Sequence, residues 1–152
     1  MSHVVYIDMD DTICHFREAF EDAIVKNPAI QYPQSQFGFF EALVPIDGAL
    51  EAIRWMIADP RFDPYILTAP SILNPWCYTG KRVWIEQQLG IDFCNRLIIS
   101  PVKNLLKGRY LIDDCHEGKG QERFEGELIH YGSRRFPDWN AVRTFLDQSV
   151  SK

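Results

Sequence analysis

The stretch VYIDMDDT, Val5 to Thr12, decides how the rest of the chain is read. Four apolar residues, Val4 to Ile7, run straight into three acids within four positions, Asp8, Asp10 and Asp11. The apolar part is mostly β-branched and does not alternate, which is the pattern of a strand buried on both faces of a parallel sheet. Its acidic end is costly, because like charges this close repel and desolvation disfavours each ionised form. Either the acids form a solvated turn, with Asp11 or Thr12 capping the next helix, or a cation sits among them.

Four further runs read as buried strands: PYILTA (64–69), NRLIIS (95–100), RYLIDD (109–114) and ELIHYG (127–132). Between them lie helical patterns. Residues 48–58 place Leu50, Ile53, Met56 and Ile57 on one face. Residues 79–89 do so with Val83, Trp84 and Leu89, closed by Gly90 as a C-cap. Residues 138–148 carry Val142, Phe145 and Leu146. Strands alternating with helices predict an α/β fold, a doubly wound parallel sheet with right-handed crossovers.

Residues 14–46 break that rhythm. Phe16, Ala19, Phe20 and Ile24 have helical spacing, Asn27-Pro28 and Tyr32-Pro33 interrupt it, and a second short helix is expected at about 36–43, before Pro45. An insertion directly after the first strand sits at the carboxyl edge of the sheet, where open α/β folds bind ligands. The expectation is one domain, 1–152, with a short helical cap at about 14–46 placed to act as a lid. The tail after Gln148 is expected to fray.

The bulk numbers exclude several classes. The 152 residues suit one domain, and 46% hydrophobic with 24% charged residues is ordinary for a globular protein. A net charge of −5 argues against a nucleic-acid polymer as partner. No apolar run approaches the roughly 20 residues of a membrane helix, and no signal peptide is visible, so a cytoplasmic location is expected. Cys14, Cys77, Cys94 and Cys115 show no CxxC pairing and read as free thiols. A soft-metal site would require Cys14-His15 to meet Cys115-His116.

A second acidic cluster weighs against the solvated turn. LIDD, Leu111 to Asp114, is another apolar strand ending in paired acids, and parallel strands deliver both clusters to one edge. Such a concentration of carboxylates calls for a divalent cation, and hard oxygen ligands select Mg²⁺. Two other strand ends then fit phosphate chemistry. Thr68 offers a hydroxyl to a phosphoryl oxygen, and Lys103 a charge that balances both phosphate and acids.

DMDDT, Thr68, Lys103 and the Asp113-Asp114 pair together resemble the four ordered motifs of haloacid-dehalogenase (HAD) superfamily phosphatases. VYIDMDD, PIDGALEAI (45–53), ILTAP, GKRVWIEQQLG (80–90) and the ten-residue step from Lys103 to Asp113 look most like the 5'(3')-deoxyribonucleotidases. The resemblance implies a Mg²⁺-dependent phosphomonoester hydrolase acting through an aspartyl-phosphate. Asp8 would be the nucleophile, and Asp10 the acid that protonates the leaving oxygen and then activates water. Asp8, the backbone carbonyl of Asp10, and Asp113 would hold the metal, with Asp114 on a metal-bound water. Thr68 and Lys103 would bind the transferring phosphoryl group, while Phe16 and Phe40 would stack on a base. The implied substrate is a small phosphomonoester, a (deoxy)nucleoside monophosphate.

The chain departs from the family pattern in places. The insertion is shorter, the tryptophans that close the base pocket have no counterpart, and Ala69 and Pro101 stand where serine and arginine are usual. A broad small-molecule phosphatase and a catalytically idle nucleotide-binding protein are the alternatives. A dehalogenase does not need the acid at Asp10.

Overall fold

The computed structural model describes residues 1–150. Five strands form one parallel sheet: β1 (His3–Ile7), β2 (Phe62–Thr68), β3 (Leu97–Ile99), β4 (Tyr110–Asp113) and β5 (Glu127–His130), in the order β3-β2-β1-β4-β5. Four helices accompany them: α1 (Phe16–Lys26), α2 (Ala49–Ala58), α3 (Trp76–Leu89) and α4 (Trp139–Ser149). All five expected strands and the three core helices are present. The third strand is shorter than its pattern, because residues 91–96 wind into a 3-10 turn before Leu97.

Strand alternation divides the apolar side chains between two faces. Val5, Ile7, Ile66, Ile112 and Ile129 join one cluster with Ile53 and Met56 of α2, Trp84 and Ile85 of α3, and Val142 and Leu146 of α4. The opposite face is thinner: Tyr6, Leu67 and Leu111 pack with Phe124 and with half-buried Val4, Tyr65, Ile98, Leu106 and Leu128. On α2 the buried stripe is Ala49, Ala52, Ile53 and Met56, and Ile57 is 48% exposed. Small alanines face the sheet closely there, which turns Ile57 outward.

The segment 14–46 is an excursion from the core. His15 N–H donates to the Val44 carbonyl (2.9 Å) and Ile46 N–H to that of Ile13 (2.9 Å), so the outgoing and returning chains pair as a short antiparallel stem at Cys14 and Pro45. Only α1 within it is an α-helix. The short helix expected at 36–43 is instead a run of turns with mixed spacing, Phe39 to Gln36, Ala42 to Gly38 and Leu43 to Phe40. Gly38, at φ 84°, leaves the helical basin and breaks the run. Trp84 anchors the returning chain through Nε1–H to the Leu43 carbonyl (2.7 Å).

The carboxyl-terminal helix continues to Ser149, whose hydroxyl lies 2.8 Å from that of Tyr110, so the fraying expected after Gln148 does not begin there. The rest of that expectation falls on residues 151–152, outside the described residues. No helix among the described residues is long and apolar enough to cross a membrane.

Candidate active site

Register explains why the acids meet. Ile7 of β1 pairs with Ile112 of β4, and Asp8 N–H donates to the Ile112 carbonyl (2.8 Å), so Asp8 emerges beside Asp113. On the other side Ile7 pairs with Ile66, which leaves Thr68 two residues further along β2 at the same edge. Past Asp8 the chain turns tightly: Thr12, Ile13 and Cys14 all donate their N–H groups to the Met9 carbonyl. Asp11 accepts the φ of 57° that this turn demands and takes the Arg17 N–H on Oδ1 (3.0 Å). It therefore caps α1, although His15 holds the N-cap position.

Two buried lysines organise the carboxylates. Lys103 Nζ donates to Asp8 Oδ1 (2.7 Å) and Asp113 Oδ2 (2.5 Å). Lys81 Nζ donates to Asp10 Oδ2 (2.7 Å) and Thr68 Oγ1 (2.6 Å). Each lysine is 1% exposed. With a lone pair of Thr68 Oγ1 taken by Lys81, its hydroxyl proton is free to donate. The structure thus gathers Asp8 and Asp113 on Lys103, and Asp10 and Thr68 on Lys81, as two hydrogen-bonded groups. Thr12 Oγ1 links the first group to Asp114, lying 3.4 Å from Asp8 Oδ2 and 3.1 Å from Asp114 Oδ1.

Electrostatics follow from this crowding. Burial raises the Asp10 pKa, Lys81 opposes the rise and Asp8 adds to it. Burial and then Asp8 raise Asp113 against the pull of Lys103. Asp114 is pushed up to about 7 by burial and by Asp8 and Asp113. Burial would lower Lys103, but Asp8 and Asp113 outweigh it and hold the ammonium charged.

Asp113 and Asp114 are neighbouring hard oxygen donors of the kind a divalent cation takes, and Asp8 is tied to Asp113 through Lys103. Ligand atoms of Asp113, Asp114 and Cys115 lie within 4.8 Å of one another. Burial and the neighbouring acids push the Cys115 thiol up to about 11, and its soft sulfur is a poor match for a hard cation. The soft-metal quartet does not assemble. Cys14 Sγ faces the Met9 carbonyl, His15 lies beside Glu18 and His116 beside Glu117.

Phe16 and Phe40, expected to stack on a base, lie together in the cap. Their rings stack on each other, with centroids 5.9 Å apart, and Phe20 and Phe39 complete the cluster. Phe40 is 5% exposed, and Lys81 Nζ lies 5.3 Å from its ring centre. A short insertion has few other apolar groups to bury, so its aromatics bury one another. Ala69 and Pro101 lie just beyond the ends of β2 and β3.

Two residues of the site were not singled out in the sequence. Lys81 sits on the stripe of α3 that also carries Cys77, Trp84 and Ile85, and a lysine on an apolar stripe was the available signal. Gln121, 3% exposed, donates from Nε2 to Asp113 Oδ2 (3.1 Å) from a loop with no periodicity to mark it.

No protein-family model matches the chain. A protein of Vibrio phage KVP40, provisionally named a 5'(3')-deoxyribonucleotidase, is 37% identical over 145 residues, covering 94% of this chain and 84% of that one. The human cytosolic 5'(3')-deoxyribonucleotidase is 41% identical over 85 residues, which are 56% of this chain and 42% of the human one. In fold, a haloacid-dehalogenase-like hydrolase from Xanthomonas campestris superposes with a TM-score of 0.61 at 15% identity, covering 99% of this chain and 94% of its own. A HAD-type hydrolase from Bacillus subtilis, bound to magnesium, gives 0.56 at 15% identity and 90% of each chain. By sequence the chain belongs to the 5'(3')-deoxyribonucleotidase family, on the fold of the HAD-type hydrolases.

Proposed function

We propose that the protein is a Mg²⁺-dependent phosphomonoesterase that dephosphorylates (deoxy)nucleoside monophosphates through an aspartyl-phosphate on Asp8. The observation that carries this reading is the pair of buried lysines, one bridging Asp8 to Asp113 and the other Asp10 to Thr68. Together they hold the proposed nucleophile, acid and phosphate donors at the carboxyl edge of the sheet. A carboxylate oxygen of Asp8 attacks phosphorus as the ester P–O bond breaks, and protonated Asp10 gives its proton to the leaving alcohol oxygen. Asp10, now a carboxylate, takes a proton from water as that water attacks the phosphoryl group, releasing inorganic phosphate and restoring Asp8. Thr68, Lys81 and Lys103 donate to phosphoryl oxygens as charge develops on them. Mg²⁺ at Asp8 and Asp113, with Asp114 alongside, would neutralise phosphate charge and orient it for in-line attack.

The segment 14–46 serves as the cap in this reading, with Phe16 and Phe40 at the base end of the substrate. A broader phosphomonoesterase is favoured by one observation, the stacking of Phe16 on Phe40, which leaves no slot between them. Phosphate release from a panel of deoxynucleoside, ribonucleoside and sugar monophosphates, with Mg²⁺ and with EDTA, separates the two. Preference for deoxynucleotides supports the first reading, equal rates support the second, and no release from any substrate refutes both.

A further inference from the structure

The loop after β4 closes a ring of hydrogen bonds on the Asp113 carboxylate. Lys103 donates its backbone N–H to the Lys119 carbonyl (2.7 Å). Lys119 N–H donates to Gln121 Oε1 (2.7 Å), and Gln121 Nε2 donates to Asp113 Oδ2 (3.1 Å). Lys103 Nζ donates to that same Oδ2 (2.5 Å), so the circuit begins and ends on Lys103. The loop is shaped to deliver the amide. Gly120 has φ 91°, a conformation that strains other residues, and a Cβ there would lie 2.2 Å from Asn104 Oδ1 and 3.0 Å from its backbone N.

Each carboxylate oxygen can accept about two hydrogen bonds. Asp113 Oδ2 already has two donors, Lys103 and Gln121, whereas Oδ1 has one, the Cys115 N–H at 2.9 Å. We infer that Gln121 is a positioning residue that makes Asp113 a one-oxygen ligand, saturating Oδ2 so that Oδ1 alone is offered to a divalent cation. Mg²⁺ demands near-octahedral coordination and takes one oxygen per carboxylate, whereas Ca²⁺ readily takes both. Gln121 thereby favours Mg²⁺ over Ca²⁺. Lys103 cannot do this alone, because it fills only one of the two acceptor positions on Oδ2. The inference rests on the reading that Asp113 binds a divalent cation.

Gln121→Met removes the amide at nearly constant volume. Calorimetric titration of the substrate-free protein with MgCl₂ and with CaCl₂ should show Mg²⁺ affinity about tenfold weaker in the variant, the scale expected for a partner of a metal ligand. Ca²⁺ affinity should change less, so the preference between the ions narrows. Thermal unfolding with and without Mg²⁺ separates positioning from mere structure. A structural role lowers both melting temperatures equally, whereas positioning shrinks the rise produced by Mg²⁺. Gln121→Asn, which keeps the amide but withdraws it by one methylene, is the second variant should Gln121→Met not fold. Unchanged Mg²⁺ and Ca²⁺ affinities in the variant that folds overturn the inference, as does failure of both to fold. A parent protein that binds no Mg²⁺ overturns the reading of the cation site itself.

Discussion

Lys81 and Asp10, 71 residues apart in the chain, meet at 2.7 Å between Nζ and Oδ2. This contact joins the middle of α3 to the loop after β1, so the proposed acid is held by a helix that belongs to neither of the acidic strands. It leads directly to a test on Lys81. With Lys81→Met, Asp10 loses the charge that lowers its pKa, and the basic limb of the kcat/KM profile should move to higher pH. Lost phosphate contacts should cut kcat/KM about 10²- to 10³-fold on all phosphomonoesters. A pH profile that keeps its shape would place Lys81 in the fold alone.

Asp8→Asn should reduce phosphate release by about 10⁴-fold or more, because the amide cannot attack phosphorus. The fold should persist, since the amide preserves the shape and can still accept from Lys103. Acid-quenched mass spectrometry should detect a phosphorylated peptide containing Asp8 in the parent and none in the variant.

Asp10→Asn should cost about 10²- to 10⁴-fold on a deoxynucleoside monophosphate, whose poor leaving group needs a proton. p-Nitrophenyl phosphate should suffer much less in the bond-breaking step, seen as a burst of nitrophenolate. Equal loss of that burst and of nucleotide cleavage would remove the general-acid role.

The aromatic cluster divides into a probe and a support. Phe16 is half-buried, so Phe16→Ala should raise KM for a deoxynucleoside monophosphate by roughly ten- to a hundredfold and spare p-nitrophenyl phosphate. Phe40 is 5% exposed, and Phe40→Ala should instead cost about 3–5 kcal/mol in urea unfolding. A stability loss from Phe16→Ala as large as that from Phe40→Ala, with no change in KM, would make both purely structural.

Trp139 Nε1–H donates to the Thr12 carbonyl (2.9 Å), bracing the acidic loop from α4. Trp139→Phe leaves that carbonyl buried and unpaired, which should cost about 1–3 kcal/mol in denaturant unfolding. A neutral substitution would show that water replaces the indole.

The strands were legible because each is a short apolar run with acids, threonine or turn residues at its end, and parallel pairing converts such ends into one edge. Asp8, Thr68, Lys103 and Asp113 could be read for that reason. Lys81 could not, since its position depends on the rotation of α3 against the sheet, and a lone lysine on an apolar stripe ordinarily reaches out to solvent. Gln121 depends on glycine turns whose geometry no periodicity encodes. The cap was legible as an insertion but not in its interior. Turns held by Gly38, and aromatics that bury one another, follow from tertiary packing.

The stem at Cys14 and Pro45 has a consequence for how this protein can vary. Because Ile46 N–H bonds the Ile13 carbonyl, the chain leaves and re-enters the core at a single doorway, and within the excursion Phe40 and Leu43 belong to the core. The stretch between α1 and Phe39 can therefore be exchanged for a longer or differently shaped segment without touching the register of β1. On the proposed function, phosphate chemistry and choice of alcohol sit on separable parts of one chain. A library confined to that stretch would then search new leaving groups while the acids and lysines beneath stay fixed.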